Sequence, residues 1–465
     1  MCPAATMLDR LYHDGGAPRP AERRASAPAV AARAPLRIAL LNVKFSPNLG
    51  DGLLAECLER ELAQALGNGA QVYSIDIAAR KKWLPAGTGS LRATLRQCAL
   101  AVLERLPPGL RRFCAGLTLR TLSVLVLRPH FRRQLAHCDA AVIGGGNLFT
   151  DADLNFPVKL DAAVRAVARH RIPLAVHAVG AGADWSAQGR RLLARAATRV
   201  PLVHATVRDE RSRRAWQAQL VADGAAGATL AGDPGLVAAR HYPQAPPSSP
   251  TVSGRPHVGL CITAPLALRY HVGQHHPGQH MKAKHSAEEA DTALCGWYGN
   301  VARTLAETGM DVVLFTNGSP EDQSCLQRNV EGWMANGNAA YRNAAPRGWV
   351  SMAAPFSAPA DLAAFVSGCD LVIAHRMHAC IAAHAFGVPT IGLTWDEKLA
   401  SFFDLAGRAR FAVNGTTCAP AAMAGLAQQA LAEGVDAARH AALIASTRAD
   451  ITLLAERLRA ACANT

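Results

Sequence analysis

The apolar positions of this chain rarely alternate. They fall in short unbroken runs, each closing on a polar, Gly-bearing loop and then a helical stretch. Residues 36–43 form the first run and lead into Ser46-Pro47-Asn48-Leu49-Gly50-Asp51-Gly52, after which residues 53–66 read as a helix. Residues 140–143 run into Gly144-Gly145-Gly146-Asn147-Leu148-Phe149, residues 173–179 into Gly180-Ala181-Gly182, and residues 203–207 into Arg208-Asp209-Glu210-Arg211-Ser212. Parallel strands are covered by helices on both faces, so they read as continuous apolar runs. Strand, loop, helix is the repeating unit of a doubly wound sheet.

A Pro- and Ser-rich stretch, residues 242–256, interrupts the rhythm, which then restarts. Residues 257–263, 310–315, 370–374 and 388–393 read as strands, and the chain from residue 420 onward reads as helices. No short repeat is present. The pattern predicts an α/β fold of two Rossmann-like lobes facing a central cleft. The expected divisions are a disordered basic tail (1–35), an N-terminal lobe (36–241), a linker (242–256), a C-terminal lobe (257–419) and closing helices (420–465). Ligands of open α/β sheets bind beyond the carboxyl ends of the strands, which places the expected site in the cleft.

Composition narrows the function classes. The 465 residues suffice for two cores. The formal charge of +14 would suit a nucleic-acid partner. The excess is mostly Arg spread along the chain, however, with no helix-turn-helix, zinc finger or basic-aromatic stretch, so no nucleic-acid partner is expected. The 12 Cys are scattered without a C-x-x-C pair, as expected of reduced core thiols in the cytosol. Residues 1–34 lack an apolar run of signal-peptide length, and nothing reaches transmembrane length. The expected location is cytoplasmic. Residues 113–133, apolar with flanking Arg, suggest peripheral contact with the inner membrane face.

Chemistry concentrates at the predicted strand ends. Ala374-His375-Arg376-Met377-His378 follows an apolar strand directly, and burying these ionisable groups without partners would be costly. Arg376 and His378, two residues apart at a helix start, are expected to face one anionic ligand. Asp51 reads either as a group that orients a hydroxyl or as the N-cap of the helix beginning near Leu53. Arg208 suits a bidentate grip on carboxylate or phosphate, or else forms a weak surface pair with Asp209. Gly145 and Gly146 could let backbone approach an anion, with Asn147 beside them; a tight turn is the plainer reading. Lys398 could hold a phosphate. His271, His275, His276, His280 and His285 match no zinc template and read as a loop over the acceptor site.

In this order, Asn48-Leu49-Gly50-Asp51, Gly144-Gly145-Gly146-Asn147-Leu148-Phe149, Gly180-Ala181-Gly182, Val207-Arg208-Asp209, Gly232-Asp233-Pro234 and Arg376-Met377-His378 with Asp396-Glu397-Lys398 resemble the polysaccharide pyruvyl transferase family. The resemblance spans residues 37–410. It implies a fold like that of the GT-B glycosyltransferases and transfer of pyruvate from phosphoenolpyruvate onto two sugar hydroxyls as a ketal, in capsule, exopolysaccharide or cell-wall polymers. By motif match Arg376 and His378 look like the family's phosphoenolpyruvate-binding and catalytic pair, Arg208 like its second anion-binding Arg and Asp51 like its N-lobe acidic residue. The expected catalytic residues are His378 and Asp51, and Arg376, Arg208, Gly145, Gly146, Asn147, Lys398 and Asn48 are expected to bind the substrates. No cofactor or metal is implied beyond phosphoenolpyruvate as donor. The acceptor is a saccharide, free or lipid-linked. The alternative on the same frame is a glycosyltransferase using a nucleotide sugar, and a non-enzymatic one is a basic polysaccharide- or membrane-binding protein.

Overall fold

A computed structural model describes residues 35–67, 69–83, 116–151, 153–244, 254–264, 284–335, 347–394, 397–415 and 417–464. They form two parallel sheets of six strands each. The first contains β1 (Arg37–Asn42), β2 (Gln71–Asp76), β3 (Ala140–Gly144), β4 (Leu174–Val179), β5 (Leu202–Val207) and β6 (Thr229–Leu230), in the order β2-β1-β3-β4-β5-β6. The second contains β7 (His257–Cys261), β8 (Asp311–Phe315), β9 (Val350–Met352), β10 (Leu371–Ala374), β11 (Thr390–Thr394) and β12 (Ala412–Asn414), in the order β12-β11-β10-β7-β8-β9. The winding reverses between β1 and β3 in one sheet and between β7 and β10 in the other. Loops leave in opposite directions at these points and open a crevice at the strand ends.

Eight of these strands coincide with the apolar runs. The other four, β2, β6, β9 and β12, are the outer strands of the two sheets. Their residues are half-buried or exposed over much of their length, so no continuous apolar run marks them. Helix α1 (Leu49–Leu66) starts four residues earlier than expected. Its N-cap is Asn48, whose side chain accepts the amide of Gly50 at 3.2 Å. Asp51 therefore lies inside the first turn and is not the cap.

Helix α1 is buried on two sides. Leu49, Leu53 and Cys57, four residues apart, join the core of the second lobe. Leu58, Leu62 and Leu66 face the first sheet beside Ile38, Leu40 and Val142. The final helix, Ala437–Ala463, completes that layer, burying Ile451, Leu454, Ala455 and Leu458 in the same cluster. It is tied there by Arg448 on Glu61 (2.7 Å) and by Asp450, which accepts the amide of Gly232 (2.8 Å).

The expected tail up to residue 34, the middle of the expected linker (245–253), and His271, His275, His276 and His280 lie outside the described residues, as does the side chain of His285. Among the described residues, no helix is long and apolar enough to cross a membrane.

Candidate active site

Two helix N-termini meet at the crevice. One is the start of α1, following β1; the other is the start of helix Met377–Ala385, following β10. Their approach is close enough that a Cβ on Gly50 would stand 2.5 Å from Cβ of His378. The contact brings Nδ1 of His378 to 3.2 Å from Oδ1 of Asp51. Nε2 of His378 is buried and has no hydrogen-bond partner. The loop after β8 joins the two lobes just beside this pair. Asn317 accepts the amide of Leu49 through its carbonyl (2.8 Å) and donates its side-chain amide to Oδ1 of Asn48 (3.3 Å).

Arg376 stands immediately before the second helix, but its side chain does not cap it. It turns back into its own lobe, donating through Nε (3.0 Å) and Nη2 (2.5 Å) to Oδ2 of Asp322. Asp322 is fully buried and also accepts the amide of Ala264 at 2.8 Å. Burial pushes the Asp322 carboxyl up, and Arg376 opposes that rise. Burial works against the Arg376 charge, but Asp322, and more weakly Cys261 and Asp51, raise its pKa above the usual value. The expectation that Arg376 and His378 share one ligand face is thus refined: their nearest carboxylates are different, Asp322 for one and Asp51 for the other.

His375 departs from expectation. It points into the core, 2% exposed, with Nδ1 at 2.7 Å from the Tyr298 hydroxyl. Burial, with Arg376 adding to it, lowers its pKa to about 3, so the ring is neutral and structural. Only His378 of the two histidines flanking Arg376 faces the crevice.

Arg208 directly follows β5 and is buried, which removes the surface-pair reading. Its Nε lies 3.4 Å from Asp209 and its Nη1 3.7 Å from Asp233, both too loose to make hydrogen bonds. Oδ1 of Asn147 is likewise without a partner, and both side chains lie over the α-carbon of Gly180, 2.5 Å (Asn147) and 2.9 Å (Arg208) from where a Cβ would stand. The neighbouring turn places Gly235 against Ile381 and Leu54. These residues lie one helical turn beyond His378 and Asp51, so the Arg208 group sits next to the paired helix ends.

Gly145 (φ 72°) and Gly146 (φ 78°) occupy the left-handed region that favours glycine. The Gly145 amide donates to the carbonyl of His177 (3.2 Å), and the carbonyl of Gly146 accepts from Gly180 (2.8 Å). The loop is thus bonded to the end of β4, and no helix begins until Asn155. Asn147 is the member of the loop with an unpartnered polar atom. Lys398 lies in the first turn of helix Glu397–Leu405, half-buried, while Asp396 is outside the described residues.

The sequence profile of the polysaccharide pyruvyl transferase family matches residues 48–397, from the N-cap of α1 to the first residue of helix Glu397–Leu405. The chain belongs to this family. It is accordingly a transferase, and its membership agrees with the resemblance carried by the motifs. No curated protein matches the pyruvyl transferase chain by sequence. Among solved structures it is similar to α,α-trehalose 6-phosphate synthase from Burkholderia multivorans (12% identity, 92% of this chain and 97% of that one, TM-score 0.49). It is also similar to UDP-GlcNAc 2-epimerase from Methanocaldococcus jannaschii (10%, 86% and 99%, 0.40) and to the glycosyltransferase SnogD from Streptomyces nogalater (15%, 90% and 99%, 0.38).

Asp322 and Asn317 were not singled out as site residues from the sequence, and Asp233 appeared there only within a motif. Asp322 occupies the third position of helix Pro320–Ala335, where an acid reads as ordinary support for the helix dipole. Its single hint was the polar Thr316-Asn317-Gly318-Ser319 loop at the end of a strand. Among the described residues, no three His, Cys, Asp or Glu side chains form a metal-binding group.

Proposed function

We propose that this transferase moves the pyruvyl group of phosphoenolpyruvate onto two hydroxyls of one sugar in an exopolysaccharide, capsule or cell-wall glycan precursor, forming a cyclic ketal and releasing phosphate. The observation that carries the reading is the His378–Asp51 pair between two helix N-termini, with Nε2 of His378 unpartnered. The Asp51 carboxylate at Nδ1 fixes the orientation of the ring, which leaves Nε2 as the nitrogen that exchanges a proton with a bound donor. The uncapped first turn of helix Met377–Ala385, Arg376 and Arg208 supply amide dipoles and guanidinium groups suited to the donor's carboxylate and phosphate.

In this mechanism Nε2 of His378 protonates the methylene carbon of phosphoenolpyruvate, and C2 becomes electrophilic. The first sugar hydroxyl adds to C2 and passes its proton to the vacated Nε2 of His378. The second hydroxyl then displaces phosphate, its proton leaving with the phosphate, and closes the ring. Asp51 positions His378. Asn48 and Asn317 hold the lobes in register, while Asn147 and Lys398 complete the lining.

The test is phosphate release from phosphoenolpyruvate against a panel of sugars, together with thermal shift. Phosphoenolpyruvate should stabilise the protein and nucleoside diphosphates should not. His378→Ala should lower turnover by roughly 10²–10⁴-fold with a smaller change in donor affinity, whereas Arg376→Ala should chiefly weaken donor binding. Stabilisation by nucleoside diphosphates alone would favour the glycosyltransferase reading, and an unimpaired His378→Ala enzyme would sink the mechanism.

A further inference from the structure

Residues 116–134 form one helical rod on the first lobe: residues 116–122, a π turn at Ser123–Leu127, and Arg128–Gln134. Its inner edge repeats every four residues. Ser123, Leu127, Phe131 and Leu135 are buried, the last three in the core beneath the sheet. The outer side is apolar as well. Leu117, Leu122, Val124, Leu125 (70% exposed) and Val126 all face solvent. They make up half of the exposed large hydrophobic side chains among the described residues, gathered within ten positions.

The charged positions of the rod itself carry one sign. Arg120, Arg128, Arg132 and Arg133 are exposed along the rod, and no acidic residue occurs from residue 116 to residue 138. Exposed Lys81 lies near enough to help lower the pKa of His130, after burial. An apolar face this concentrated, edged by guanidinium groups, needs an occupant that is apolar inside and anionic at its border. A second copy of the chain fits poorly, because two-fold pairing would set one cluster of arginines against the other.

We infer that this rod is a docking surface for an anionic lipid bilayer. Val124, Leu125 and Val126 enter the boundary between headgroups and acyl chains, and the arginines meet lipid phosphates. The rod lies flat on the membrane rather than spanning it. The inference does not depend on the pyruvyl-transfer chemistry.

The test is sedimentation of the full chain with phosphatidylcholine vesicles, with and without phosphatidylglycerol, at low and high salt. Binding should require phosphatidylglycerol and weaken with salt. The triple change Arg128→Gln, Arg132→Gln, Arg133→Gln should weaken it about a hundredfold. The triple change Val124→Ser, Leu125→Ser, Val126→Ser should weaken it roughly tenfold or more. Circular dichroism melts of the arginine variant, whose changes are all at the surface, should match the parent chain. Three results would overturn the inference: no sedimentation with phosphatidylglycerol vesicles, sedimentation that survives both variants, or a dimer in solution that the serine variant converts to monomer.

Discussion

Gly50 sits in the first turn of α1, where an added Cβ would meet the Cβ of His378 at 2.5 Å. Carbon atoms pack at about 3.5–4.0 Å, so a methyl group there must separate the two helices by about 1 Å. Helix propensity by itself favours Ala over Gly by up to about 1 kcal/mol. The two effects oppose each other and read out differently. Gly50→Ala should lower the melting temperature only modestly, because propensity offsets part of the overpacking cost of about 1–3 kcal/mol, while turnover falls at least about tenfold, because the Asp51–His378 pair opens. Full activity in that variant would show that the approach of the helices is not needed. At this scale the sequence showed which polar residues follow the strands and not whom they meet. Three residues in a row, His375, Arg376 and Met377, take three environments: a core partner in Tyr298, a buried carboxylate in Asp322, and the first turn of a helix.

Among the elements, the inner strands were legible because both their faces are apolar, and the four outer strands were not, because they are half-wet. The start of α1 was misplaced for a related reason. Gly50 and Gly52 look like loop residues, yet they are helical there because small side chains are what the neighbouring elements admit. The last helix, Ala437–Ala463, was read correctly as a helix, but its place was not evident. It buries Ile451, Leu454 and Leu458 against a sheet whose strands begin some 400 residues earlier in the chain. Burial of three such side chains contributes roughly 5–9 kcal/mol, comparable to the whole stability of many domains. A chain ending before Ala437 should therefore not fold cooperatively, as a urea titration followed by circular dichroism would reveal. A sharp transition at the parent midpoint would contradict this placement.

For the molecule as a whole, His177, His375 and His384 are fully or almost fully buried, and burial is the leading cause that lowers their pKa values to about 3, 3 and 4. In the unfolded chain the same groups titrate near 6.5. Between those values the unfolded state binds protons that the native state does not. Their contribution to stability is therefore full above about pH 6.5 and declines as pH falls, to about 4 for His384 and about 3 for His177 and His375. The slope is about 1.4 kcal/mol per pH unit for each histidine. Unfolding midpoints measured from pH 7 to pH 5 should fall with an uptake of more than one proton; a flat profile would mean that the rings are charged in the native state. The sequence by itself determined the α/β class, the inner strands, the family and the set of polar residues at strand ends, because burial on both faces and close backbone turns leave marks in adjacent residues. Tertiary structure alone decided that Asp322 holds Arg376, that Asp51 faces His378 and that the last helix closes the first lobe. Those contacts join residues hundreds of positions apart, and their energies depend on burial and distance, which a local pattern does not carry.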